Sequence, residues 1–67
     1  MKDNNFESCL QYVEERYINP MLDWEVQFVQ DCYDLKVNAE DAECSLSTMV
    51  IWTLVTAWRV ENLNDEN

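Results

Sequence analysis

The sequence predicts an all-α protein: an up-down bundle of three helices over about 5–17, 20–36 and 44–62, forming one domain over 1–67. Three observations carry this expectation. Gly is absent and Pro occurs once in 67 residues, so the tight hairpins and bulges of a β-meander lack their turn residues. Apolar residues recur at three- and four-residue spacing along three segments. Those segments are parted by two stretches, around Asn19-Pro20 and over Val37–Glu43, where the spacing breaks.

In the first segment Asn4 or Asn5 is placed to cap a helix running to about Tyr17. Phe6, Cys9, Leu10, Val13 and Tyr17 share one face, with Glu7, Gln11 and Glu14 in a polar row beside it and Glu15 further round. Pro20 removes a backbone donor and ends that helix, and it suits the first position of the next, with Asn19 as N-cap. Along helix two, Met21, Trp24, Phe28, Cys32 and Leu35 make a main face. Leu22, Val26, Val29 and Tyr33 make an adjoining stripe, and Asp23, Gln27, Gln30, Asp31 and Asp34 fill the remaining arc. Glu25 falls inside the apolar arc. Being near a helix start it is expected to reach solvent, the alternative being burial with a raised pKa or an edge where a partner docks.

Asn38 is the expected cap at the second break. The main face of helix three is Leu46, Met49, Val50, Leu54, Ala57 and Val60, with Ile51, Val55 and Trp58 as a second stripe and Trp52 on its flank. The wealth of Val, Ile, Thr and Trp makes a strand the competitor. The run exceeds ordinary strand length and holds no turn residue, which decides for helix. Residues 63–67 read as a loose acidic tail. Two apolar stripes on each of two helices exceed what a small monomer covers, so a homodimer is expected, with Ile51, Trp52, Val55 and Trp58 as its seam.

Fourteen acids against four bases give a formal charge of −10. Direct nucleic-acid binding is excluded by repulsion, and an anionic membrane surface is disfavoured. The fitting partner is a basic protein surface, of the kind that nucleic-acid-handling proteins carry. Within the helices, Arg16 and Arg59 have no acid three or four residues away, so the acids lack local cationic partners. Solubility is one reason to tolerate their repulsion. Mimicry of a phosphate backbone is another: spread along a bundle roughly 25 Å long, the charge amounts to roughly 0.4 per Å, against roughly 0.6 for duplex DNA. Asp23 and Asp34 stand about 16 Å apart along one helix face, with Asp31 close to that line, and Glu7, Glu14 and Glu15 extend the candidate face from helix one. Glu40, Asp41 and Glu43 have a cheaper role, beside a helix start whose dipole favours negative charge.

Catalysis and metals find little support. There is no His, and no Gly for a phosphate loop. Cys9, Cys32 and Cys44 lack metal-ligand spacing, and no activating partner for a thiol is visible. No metal, no cofactor and no enzymatic activity are expected. The opening Lys2-Asp3-Asn4-Asn5 does not read as a secretory leader, so free thiols and a cytoplasmic location are expected.

In size, charge and helicity the chain resembles small acidic inhibitors made by phages and mobile elements, of the anti-CRISPR and anti-restriction type, some of which occupy nucleic-acid grooves on host enzymes. No motif carries the resemblance, so it assigns no residue a role. The function it implies is a binding inhibitor that docks an acidic helical face into a basic groove of a host enzyme or defence complex. The alternative is a structural, adaptor, antitoxin or immunity-type subunit that binds through the apolar stripe with Trp52 and Trp58.

Overall fold

A computed structural model describes residues 5–63. It is all-helical among the described residues, with four helices in place of the expected three: α1 Phe6–Arg16, α2 Asp23–Tyr33, α3 Ala39–Ala42 and α4 Leu46–Leu63. The long helices α1, α2 and α4 pack pairwise on one another, and the single turn α3 packs on α4. Leu63 belongs to α4, and 64–67 of the expected tail lie outside the described residues, as does Asn4.

Local chemistry explains each boundary. Asn5 caps α1, its Oδ1 accepting from the Ser8 amide at 2.9 Å. α1 ends at Arg16, with Tyr17 already extended ahead of Pro20, and α2 does not begin at Pro20. Asn19 and Pro20 are exposed in the connector, which bends at Ile18 and Asn19, and Leu22 is the N-cap. A leucine offers no side-chain acceptor, so Glu25 supplies the cap from the other side, its Oε1 accepting from the Leu22 amide at 2.7 Å. That bond explains why α2 starts later than Asn19-Pro20 suggests.

α2 also ends earlier than expected, at Tyr33. Leu35 has φ 63°, in the left-handed region. The Lys36 amide donates to the Asp31 carbonyl at 2.9 Å and the Leu35 amide to Cys32 at 3.1 Å. This is a Schellman stop, with leucine where glycine usually stands. Asn38 is a cap as expected, but of α3, in a reciprocal box with Asp41. A second box joins Ser45 and Thr48 and opens α4. Buried Thr48 also donates to the Ala42 carbonyl at 2.6 Å, tying α3 to α4.

The core is Cys9 and Val13 from α1, Val29 and Cys32 from α2, and Ile51, Val55 and Trp58 from α4. On α4 the expected faces are therefore exchanged. The second stripe is buried, with Trp58 only 2% exposed, while Leu46, Met49, Val50 and Val60 of the expected main face are open to solvent. Periodicity locates two stripes and cannot rank them. Trp58 outsizes every side chain of the expected main face, and the stripe that carries it fills the space between α1 and α2. Trp24, expected in the core, is half exposed.

Candidate functional site

The carboxylates of α1 and α2 are the feature with chemistry to explain. Glu7 and Glu14 lie on the side of α1 away from Cys9 and Val13, with Glu15 next to them; all three are exposed. On α2, Asp23 stands exposed in the first turn and Asp34 exposed at the C-cap, with Asp31 partly buried one turn earlier. The sequence-predicted residues thus form two outward arrays, one on each helix.

Glutamines steady these carboxylates from their own helices. Gln27 Nε2 donates to Asp31 at 3.3 Å, Gln30 Nε2 to Asp34 at 3.1 Å, and Gln11 Nε2 to Glu15 at 3.3 Å. Such pairs four residues apart restrict the rotamers without neutralising the charge. Among the described residues one ion pair is formed, Arg16–Glu15 at 3.6 Å and exposed. Arg16 also lies over the Tyr12 ring, 3.6 Å from its centroid, and donates to the Tyr12 carbonyl. Arg59 is turned inward and donates to the Cys32 and Tyr33 carbonyls at 3.1 and 3.2 Å. The cations thus leave most of the acidic charge uncompensated.

The position of Asp31 and Asp34 runs against local preference. Both sit at the C-terminal end of α2, where the helix dipole disfavours negative charge, and α2 has no basic residue in its last turn. Arg59, reaching over from α4, supplies the positive charge that this end needs. Exposed Leu35 in a left-handed conformation adjoins the same end. Three departures from local preference within five residues mark the end of α2 as a place where the chain gives up stability.

Glu25 corrects an expectation. It is buried, 5% exposed, yet its carboxyl is held below the usual range. The Leu22 amide is the main cause and the Tyr17 hydroxyl, donating at 2.6 Å, the second; burial opposes both. The sequence could have revealed the bond to Leu22, since Glu25 stands three residues after the cap position. Tyr17 was not legible as its partner. Tyr12 makes a similar tie across the molecule, donating to Glu61 at 2.8 Å.

The expected seam of Ile51, Trp52, Val55 and Trp58 is not a surface. Ile51, Val55 and Trp58 are in the core, Trp52 is partly buried against it, and α1 and α2 occupy the space a second subunit would have needed. The open apolar face of α4 is instead Leu46, Met49, Val50 and Val60.

Cys9 and Cys32 are buried, and burial pushes both thiols up to about 11. They act as small apolar groups at neutral pH. Among the described residues no group of three or more His, Cys, Asp or Glu is placed to hold a metal ion. A cleft of about 310 Å³ between α1 and α4 is open and polar and includes Tyr12, Glu15, Arg16 and Glu61. No helix among the described residues is long and apolar enough to cross a membrane. No protein-family model, curated protein or solved structure matches the chain.

Proposed function

We propose that the protein is an acidic binding protein that docks onto a basic surface of a nucleic-acid-handling partner and inhibits it by occupying the groove meant for nucleic acid. The observation that supports this reading is the stiff carboxylate arrays of α1 and α2, in which, among the described residues, Glu15 alone is ion-paired. Asp31 and Asp34 carry the most weight, because they stand where they weaken the helix that bears them. Stability given up at a surface position is a common mark of a binding residue. Rotamers already limited by Gln27 and Gln30 lose less entropy on docking to Arg and Lys. Pairing of two copies belongs to the same reading, since it doubles the acidic surface offered to one groove.

The test is displacement. At low salt the protein should release a labelled duplex from a basic nucleic-acid enzyme, and its direct binding to that enzyme without nucleic acid should weaken steeply as salt rises. The D23N/D31N/D34N triple variant should fold and lose the effect. Direct binding that stays flat with salt, or displacement that survives the triple variant, overturns the reading.

One observation favours an adaptor instead: the open apolar face of α4. A partner taken through that face would bind with little dependence on salt, and neutralising the acids would leave it bound.

A further inference from the structure

α4 is apolar on two opposite sides, and only one of them is used inside the chain. Ile51, Val55 and Trp58 face α1 and α2. Leu46, Val50, Thr53, Ala57 and Val60 recur at alternating spacings of four and three on the other side, the period of a helix–helix seam. Leu46 is 76% exposed and Val60 53%. Two shallow, largely apolar hollows, of about 230 and 240 Å³, share the Leu46–Val50 ridge; Arg16, Tyr17 and Ile18 border the first, Met49 and Thr53 the second.

Charge says what covers this face. From Cys44 to Trp58 the chain carries no charged residue, although its total is −10. Two copies repel wherever their acidic arrays meet, so they can approach only through a face that has none. A basic partner gains nothing there and is drawn to α1 and α2. The uncharged stripe therefore suits a second copy of this chain above other occupants.

Side-chain size then sets the direction. The N-terminal half of the stripe is bulky, with Leu46 and Met49; the C-terminal half is slim, with Ala57 and Val60. Parallel pairing sets bulk against bulk at one end and leaves a gap at the other. Antiparallel pairing sets each bulky half against a slim one, keeps the separation even over the roughly 27 Å of helix, and opposes the two helix dipoles. Thr53 then lies at the two-fold axis, facing itself, and Leu46 meets the second copy's Val60.

We propose that the protein forms a two-fold dimer through the outer face of α4, packed antiparallel about Thr53. This rests on the pairing included in the functional reading above and adds its surface and polarity. Sedimentation equilibrium from low micromolar to near-millimolar concentration should give twice the chain mass of 8.0 kDa. Leu46→Glu and Val60→Glu, both at exposed positions, should keep their helical circular dichroism and sediment as monomers, with the dimer dissociation constant raised at least a hundredfold. In a Cys44→Ser background with copper phenanthroline as oxidant, Thr53→Cys should cross-link to itself and Leu46→Cys should not. A wild-type chain that stays monomeric overturns the pairing altogether. A dimer that survives both Glu variants overturns this face and leaves pairing elsewhere. Cross-linking of Leu46→Cys to itself, which a parallel pair gives alongside that of Thr53→Cys, overturns the polarity. The displacement assay is read on the acids alone, so its failure would leave the dimer standing.

Discussion

Leu35 and Glu25 show how single residues hold or strain this fold. Leu35 occupies a backbone conformation in which its Cβ is crowded, and its exposed side chain buries little in return. Leu35→Gly is expected to raise stability by about 0.5–1 kcal/mol, read as a higher urea midpoint with an unchanged slope. Glu25 works in the opposite sense. Its carboxyl is lowered by folding, so its contribution is fully present above the unfolded value near 4.5 and lost as pH falls through the lower folded value. Glu25→Gln should flatten the acid limb of a stability–pH profile. Tyr17→Phe should reproduce part of the effect, because the Leu22 amide remains as a donor. Neither residue's role was fully legible in the sequence. The left-handed position at Leu35 is disguised by the absence of Gly, and the Tyr17 bond depends on how α1 crosses α2.

The all-helical class was legible, because the 3.6-residue spacing is strong and the chain lacks β-turn residues. The ends were not. Asn19-Pro20 has every local mark of a helix start, yet tertiary contacts of Glu25 move the start to Asp23. Ser45 and Thr48 open α4 by hydrogen bonds, and α3 forms inside Val37–Glu43, the stretch that reads as a break. Ser45→Ala should cost about 1 kcal/mol by loosening the first turn of α4. At the end of α2, Asp31→Asn and Asp34→Asn should each raise Tm by a few degrees, since each removes a charge that the dipole disfavours and keeps an oxygen for its glutamine. The same changes are expected to weaken docking. Opposite signs in melting and binding would separate a recognition role from a solubility role, because charge kept only for solubility gives no loss of affinity at high protein solubility. That distinction lies beyond sequence reasoning: the acids were readily found, but their bearing on the helix end depends on where α2 stops.

At the scale of the molecule, the core of seven buried residues is small, so its largest member dominates. Trp58→Ala should cost about 3–5 kcal/mol, enough to unfold much of a chain this short, and loss of cooperative thermal melting would report it. Val60→Glu should have little effect on the monomer's melting. That contrast measures which stripe of α4 is interior, the one question about the core that spacing left open, since both stripes repeat equally well and only bulk tells them apart. Arg59 carries a consequence of its own. Its guanidinium closes the carbonyl end of a helix that lies more than twenty residues earlier in the chain. During synthesis, α2 therefore emerges without the group that completes it, and its last turn frays until α4 arrives. A fragment ending at Trp58 would keep every core side chain and still exchange the amide hydrogens around Tyr33 faster than the whole protein does.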